Sequence, residues 1–250
     1  MIRRPTPVLP IAVFLMLLSC SSGDIPLTYN SIHGSGDLVD VVREVDPFHS
    51  VILNTVGDVN LTFGIEQSLA VTVDHNLLKF ITTDVTGEVL VIDRKVTNDV
   101  NVTGQHLTVD VTMSSLRSLT LDEYGVGSFA TDSSRFQVDN VNLDLIGVGN
   151  MDLELEIEQR LLLQLSGVGN VTLWGSADRF DCEHSAVGNV EAFDLAVNNC
   201  TVVSSGVGDT KINVASSLDV TIDSAGSVYY KGRPIIDSLI TGAGQLIDAN

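Results

Sequence analysis

A repeated Gly-Val-Gly triplet constrains the fold of this chain more than any other feature. The stretch Leu161 to Gly175 shows the repeating unit, in which an alternating strand leads into the triplet and a second alternating strand follows Asn170. The intact or lightly altered triplets begin at Gly125, Gly147, Gly167, Ala186, Gly206, Ser224 and Gly242. Strand-type alternation repeated about every 20 residues is typical of a parallel β-solenoid, in which each repeat forms one coil.

Stacking the repeats predicts a role for each position of the triplet. The third position is always glycine, so we expect a positive φ there, which is costly for a residue with a β-carbon. The first position accepts Ala186 and Ser224 and needs only a small residue. The middle residues are expected to face the core: Val126, Val148, Val168, Val187, Val207, Ala225 and Ala243. The residues after the triplets are expected to form a polar ladder: Ser128, Asn150, Asn170, Asn189, Asp209, Ser227 and Gln245.

Alternate residues of the strand before each triplet supply the other core columns. Counted back from the triplets, these columns include Leu119, Leu121, Glu123, Phe180, Cys182, His184 and Cys200. We therefore predict an all-β fold, a parallel β-solenoid (β-helix) with coils of about 20 residues over residues 119–250. A less regular β part is predicted over residues 46–118. The general preference for right-handed parallel crossovers predicts a right-handed solenoid.

The N-terminal residues have the features of an export signal. Two arginines precede a short apolar run, Ile11 to Leu18, which is too brief to span a bilayer. The run ends in Leu17-Leu18-Ser19-Cys20, which resembles the bacterial lipobox, where the cysteine is diacylated and becomes the new N-terminus. We therefore predict a lipoprotein signal peptide over residues 1–19 and lipidation of Cys20.

Residues 20–45 are predicted to be a lipid-anchored tether, because Ser, Gly and Asp dominate their first part. Ser21 is not the aspartate that tends to mark inner-membrane retention among bacterial lipoproteins. The predicted location is therefore the bacterial outer membrane, on its periplasmic or its surface face. A terminus carrying up to three acyl chains would be held durably, because each buried methylene contributes about 0.8 kcal/mol.

The charge of the chain argues against two classes of partner. It has 32 acidic residues against 13 Lys and Arg, and a formal net charge of -19. Nucleic acids and anionic lipid surfaces both require basic protein surface, so neither is an expected partner. We expect contact with the membrane through the lipid anchor alone, and binding to an envelope glycan or an envelope protein.

With the repeat laid out, the chain resembles the bacterial GIN-domain family, also described as the auto-transporter adhesin head domain. The resemblance covers Gly34 to the C-terminus and is carried by Val45-Asp46-Pro47-Phe48-His49-Ser50-Val51, Val56-Gly57-Asp58-Val59, Leu116-Arg117-Ser118-Leu119, the Gly-Val-Gly turns, Ser227-Val228-Tyr229-Tyr230-Lys231-Gly232-Arg233-Pro234 and Thr241-Gly242-Ala243-Gly244. It implies a β-helical domain on exported, often lipid-anchored proteins, with an adhesin role and no catalytic residues.

Cysteine and histidine provide one candidate reactive cluster. Cys182 and His184 share a strand face, and Cys200 lies on the next coil with an offset of two residues. Spacings of about 4.8 Å per coil and 3.3 Å per residue put the two cysteine α-carbons about 8 Å apart, beyond the usual bridging range. Buried free thiols are therefore favoured over a disulfide, a structural metal site or a catalytic dyad.

Acidic side chains provide the other candidate. The alignment pairs Asp122 with Asp144 and Asp219 with Asp237 in outward columns, and Arg179 stands beside Asp181 and Glu183. A solvated acidic face is favoured over weak Ca²⁺ sites, and ordinary surface pairing of Arg179 is favoured over a catalytic role.

We therefore predict a non-enzymatic cell-envelope lipoprotein that presents a β-helical surface for binding, adhesin-like or as a scaffold, without cofactor or metal. The alternatives are a polysaccharide-active β-helix enzyme and a purely structural envelope component.

Overall fold

The computed structural model describes residues 30–95, 100–132 and 136–250, and these residues form an all-β domain with one 3₁₀ turn, Leu78–Phe80. No helix in these ranges is long and apolar enough to span a bilayer. The predicted signal peptide and Cys20 lie outside the described residues. The strands in the N-terminal part are β1 (Asn30–His33), β2 (Leu38–Val42), β3 (Ser50–Asn54), β4 (Val56–Phe63), β5 (Ser68–Asp74), β6 (Ile81–Thr86), β7 (Val89–Arg94), β8 (Val100–Thr103) and β9 (Leu107–Met113).

The strands of the C-terminal part lengthen as the repeat becomes regular. They are β10 (Ser118–Leu121), β11 (Val126–Thr131), β12 (Phe136–Leu145), β13 (Val148–Leu165), β14 (Val171–His184), β15 (Val190–Ser204), β16 (Thr210–Ile222), β17 (Val228–Lys231), β18 (Ile235–Ile240) and β19 (Leu246–Asp248). The predicted solenoid of coils of about 20 residues is confirmed, with about six turns.

Two parallel sheets enclose the core. One stacks β7, β3, β10 and β12 with the C-terminal halves of β13 to β16, and then β18. The other stacks β9, β4 and β11 with the N-terminal halves of β13 to β16, and then β17 and β19. The Gly-Val-Gly triplets form one corner between the sheets, and register shifts near Ile157 to Arg160 and its equivalents form the other. Alternating strand residues from both sheets fill the interior.

The N-terminal part continues the same stack, but its coils do not follow chain order. The coil made by β3 and β4 lies between the β7–β9 coil and the β10–β11 coil. The outer end is covered by antiparallel strands, because β5 pairs with β9, β2 with β5, and β6 with β7. Residues 30–42 therefore contribute two strands to the domain, although the sequence predicts a tether over residues 20–45.

A buried carboxylate fastens this covered end. Asp74 is 0% exposed and accepts hydrogen bonds from the backbone N–H groups of Gly36, at 2.7 Å, and His106, at 2.9 Å. The His106 N–H is the main influence that lowers the pKa of Asp74, against the opposing effect of burial. One side chain thus joins three segments that are distant in sequence.

The first regular coil departs from the predicted columns. Leu119 lies opposite Leu143 and Leu121 opposite Leu145, so both leucines are displaced by two residues from the predicted alignment. Glu123 is exposed and does not face the core, contrary to the prediction. The reason is a turn after Leu121, closed by a hydrogen bond of 2.8 Å from the Gly125 N–H to the Asp122 carbonyl, which adds two residues to this coil.

Candidate functional site

Strand alternation passes through the Gly-Val-Gly corner without interruption. Leu145, Gly147 and Met151 are buried, whereas Val148 and Asn150 between them are exposed. The predicted inward orientation of the middle residue is therefore wrong. The space inside the corner is taken by the first residue of the triplet, and alternation then turns the valine outward. The outward orientation of the valine could have been predicted by continuing the strand alternation through the triplet. The apolar character of valine is misleading at this position.

The third residue of each triplet lets the coils approach closely. Gly169 has a φ of +150°, and a β-carbon built on it would lie 1.5 Å from the carbonyl oxygen of Gly149 on the preceding coil. The predicted positive φ is confirmed at Gly127, Gly149, Gly169, Gly188 and Gly208, but it is not found at Gly226 or Gly244. At these two positions the close approach of the preceding coil still requires glycine, because a built β-carbon would lie 1.8 Å and 1.9 Å from a carbonyl oxygen. Because the glycine backbones stack directly, the valines of successive coils also lie in line.

We call this row of outward side chains the valine ridge. Its members are Val56 at 40% exposure, Val126 at 42%, Val148 at 49%, Val168 at 48%, Val187 at 55% and Val207 at 61%. Each lies opposite the next in parallel register. Five steps of about 4.8 Å give the ridge a length of about 24 Å. Contiguous exposed apolar surface is a common feature of interaction sites, so the ridge is the candidate functional surface of this chain.

The predicted polar ladder is confirmed along one side of the ridge, and its hydrogen bonds run between coils. The Asn170 N–H donates to the side-chain oxygen of Asn150 at 3.0 Å, and the Asn189 N–H donates to that of Asn170 at 3.0 Å. In the same way the Asp209 N–H donates to the side-chain oxygen of Asn189 at 2.9 Å, and the Ser227 N–H donates to that of Asp209 at 3.0 Å. The ladder therefore holds amide, carboxylate and hydroxyl groups at a fixed spacing beside the valines, an arrangement suited to binding by contact and hydrogen bonding.

Cys182 and Cys200 are buried free thiols, as predicted. Cys200 lies opposite Phe180 and Cys182 opposite Val202, which is the predicted offset of two residues. Burial raises the pKa of Cys182 to about 12 and also raises that of Cys200. Because the thiolate is the reactive form, neither side chain is an activated nucleophile.

His184 lies in the core, as predicted, at 1% exposure. Its Nδ1 is 3.1 Å from the hydroxyl of Thr210, and its Nε2 has no hydrogen-bond partner. Burial lowers the pKa of His184 and favours the neutral ring. Among the residues that the structure describes, no three His, Cys, Asp or Glu side chains are placed to hold a metal ion.

Only one of the two predicted acidic pairs exists. Asp219 lies opposite Asp237 on the neighbouring coil, as predicted. Asp144 instead lies opposite Thr120, whose hydroxyl donates to it at 3.5 Å, and burial raises the pKa of Asp144. Asp122 falls in the two-residue insertion of the first regular coil, so the predicted pairing of Asp122 with Asp144 is wrong.

The predicted pairing of Arg179 with Asp181 is confirmed and involves a second arginine. Asp181 is 7% exposed and accepts hydrogen bonds from Nε of Arg160, at 2.5 Å, and Nε of Arg179, at 2.9 Å. Burial raises the pKa of Asp181, but the two guanidinium groups outweigh it and the net shift is downward. The cluster joins two coils and is an ordinary charged pairing.

Comparisons with known proteins agree with this architecture. The sequence profile of the family described as "Putative auto-transporter adhesin, head GIN domain" matches residues 47–234. A crystal structure of a putative adhesin from Bacteroides fragilis is 29% identical, with a TM-score of 0.80, over 87% of this chain and 99% of that chain. A putative adhesin from Parabacteroides distasonis is 21% identical, with a TM-score of 0.66, over 88% of this chain and 100% of that chain. At this identity the likeness shows a shared fold and nothing further.

A putative lipid binding protein from Parabacteroides distasonis also shares the fold, at 20% identity and a TM-score of 0.64, over 88% of this chain and 100% of that chain. No curated protein matches the chain. The family match spans most of the chain and includes the whole run of Gly-Val-Gly coils up to Pro234. On that match, the chain belongs to the family of auto-transporter adhesin head GIN domains.

Proposed function

We propose that the chain is a non-enzymatic envelope lipoprotein that presents the valine ridge as a binding surface. The observation that carries the proposal is the exposure of six stacked valines, from 40% to 61%, beside a hydrogen-bonded polar ladder. Family membership supports an adhesin-like role. The buried state of both thiols and of His184 supports binding rather than catalysis.

The proposed ligand is an envelope glycan. A ridge with one apolar and one polar group per coil presents the same contact at each step of about 4.8 Å, which suits a polymer. The net charge of -19 favours a neutral chain over an acidic one. An envelope protein is the other outcome that the binding experiment would reveal.

Binding is tested with the full-length protein on a glycan array and in saturation binding to isolated cell envelopes, with and without Ca²⁺. The variant carries Val148→Ser, Val168→Ser and Val187→Ser together. The matched control is Val203→Ser, because Val203 is also exposed, at 41%, but lies away from the ridge. We expect saturable binding by the wild type and the control and weak binding by the ridge variant. Equal binding by all three proteins would reject the ridge as the site.

The proposed membrane anchor is tested separately at Cys20. Growth with labelled palmitate should label the wild type but not Cys20→Ser, and the labelled protein should fractionate with the outer membrane. Ser19→Thr is a control that leaves the cysteine in place. Labelling of Cys20→Ser would contradict the anchor.

The same preparations test the polysaccharide-active alternative. Depolymerisation of an acidic polysaccharide in the presence of Ca²⁺ would favour an enzyme. Its loss in Asp219→Asn/Asp237→Asn would place the activity on the predicted acidic pair that is found in the described residues. We expect no depolymerisation.

A further inference from the structure

The last coil leaves one long sheet edge without a neighbouring strand. In the described part of the chain β18 pairs only with β16. Ile236 and Ile240 are 38% and 43% exposed, whereas Leu218 and Ile222, on which they stack, are 1% and 0% exposed. The core columns therefore reach the surface at this end of the solenoid.

The backbone of this edge also has free hydrogen-bonding groups. In an inner coil the Leu165 carbonyl accepts a hydrogen bond of 2.8 Å from the Ser185 N–H of the following coil. The backbone groups of residues whose side chains face the core therefore point toward the following coil. The Thr241 N–H points the other way and donates to the Ile222 carbonyl of the preceding coil at 2.9 Å. Because these directions alternate along a strand, the free N–H and C=O groups of β18 belong to Ile236, Ser238 and Ile240.

The sheet edges at β19 and at β6 are protected. The strand β19 has only three residues, and the Asn250 side chain bonds the N–H and C=O of Gly232 at 2.9 Å beside it. At the opposite end, Arg43 bonds the Thr83 hydroxyl and the Ile81 carbonyl on β6 at 3.0 Å each. Charges and short strands at an edge prevent pairing with other chains. In β18 the one charged residue is Asp237, which faces outward.

We propose that β18 pairs antiparallel with β18 of a second copy, around a two-fold axis at Ser238. In this register Ile236 lies opposite Ile240 of the second copy, so inward residues meet inward residues and the core continues across the interface. The free N–H and C=O groups of Ile236, Ser238 and Ile240 also face one another. Asp237 lies opposite Leu239 of the second copy, so the register places no two carboxylates directly opposite each other.

The size of this contact predicts a weak dimer. Even if the whole end coil takes part, residues 235–248 supply fewer than the roughly 20 to 30 residues a side of a standard interface. Each copy also has a net charge of -19, and the repulsion between copies is screened by salt. The dimer should therefore depend on concentration and tighten when salt is added.

Sedimentation equilibrium of the full-length chain tests the proposal, with Ser238→Pro as the edge variant. Proline removes the free Ser238 N–H but leaves the bonds to β16, and Ser238→Ala is the matched control that keeps it. Because two hydrogen bonds are lost per dimer, Ser238→Pro should weaken the dimer by about tenfold or more, at an unchanged thermal midpoint. Ser238→Ala should dimerise like the wild type.

The register is tested with Leu239→Lys against Leu239→Glu, both of which keep every backbone group and lose the same apolar side chain. Lysine would stand opposite Asp237 of the second copy and glutamate would repel it, so the lysine variant should dimerise several-fold more tightly at low salt. A wild type that stays monomeric at high micromolar concentration would overturn the proposal. So would a dimer insensitive to Ser238→Pro and to the charge at position 239.

Discussion

Replacing Gly169 by alanine would test the close stacking of the coils. The added β-carbon would lie 1.5 Å from the Gly149 carbonyl oxygen, so the two coils must separate locally. A side chain at this φ of +150° costs about 1–3 kcal/mol in backbone strain. Separation also weakens the bonds from Gly149 N–H to Val168 O, at 2.9 Å, and from Val168 N–H to Gly147 O, at 3.0 Å. At about 0.5–1.5 kcal/mol for each bond, the total loss is about 2–6 kcal/mol.

The assay is urea unfolding followed by circular dichroism, compared with Val168→Ala in the same turn. Val168 is 48% exposed and its side chain points away from the core, so this control should lose less than about 1 kcal/mol in the free energy of unfolding. A loss of less than about 1 kcal/mol for Gly169→Ala, or equal losses for the two variants, would refute the glycine stack.

Three further predictions concern buried polar groups. His184→Leu should raise the melting temperature more at pH 5 than at pH 7.5, because the pKa of His184 is lowered in the fold and the stability of the neutral ring is lost as pH falls below the unfolded value of about 6.5. Asp74→Asn should flatten the acid-unfolding curve below about pH 4, because the pKa of Asp74 is lowered in the fold. The stabilisation that the carboxylate provides is present above its unfolded-state pKa and is lost as pH falls through its folded-state pKa, so a curve unchanged from wild type would refute this role. Asp181→Ala should lower the free energy of unfolding by about 1–3 kcal/mol, because it leaves the guanidinium groups of Arg160 and Arg179 without their carboxylate. The control Asp219→Ala, in the same outward column, should have little effect, and equal losses for the two variants in urea unfolding would contradict this prediction.

The solenoid could be predicted from the sequence because its two signals are local. The repeat near 20 residues and the invariant third glycine reflect the close approach of neighbouring coils at one corner, which every coil reproduces. The offset of Cys182 and Cys200 followed from counting residues within neighbouring coils, and the structure has the same offset. The handedness of the solenoid stays a prediction.

Two kinds of position are mispredicted. In one, the apolar character of a residue conflicts with strand alternation, and in the other, the number of residues in the coil changes. Val148 is apolar, but the buried neighbours Leu145 and Met151 already require it to face outward. Counting back from Gly125 predicts a core position for Glu123, because the count crosses an insertion that only the turn geometry reveals.

The N-terminal part was harder to predict for a different reason. The β3–β4 coil lies between two coils that come later in the chain, and residues 30–42 join strands that are distant in sequence. Such pairings are set by long-range packing, and the local alternation of each strand fits several stacking orders.

Site-specific photo-crosslinking is the measurement that tests the binding surface most directly. A benzophenone side chain is introduced at Val168 on the ridge or at Val203, which is exposed on the other sheet. Irradiation of living cells should give a discrete adduct from position 168, which unlabelled protein competes away, and none from position 203. Adducts from position 203 alone, or from neither position at saturating expression, would contradict the ridge as the binding surface.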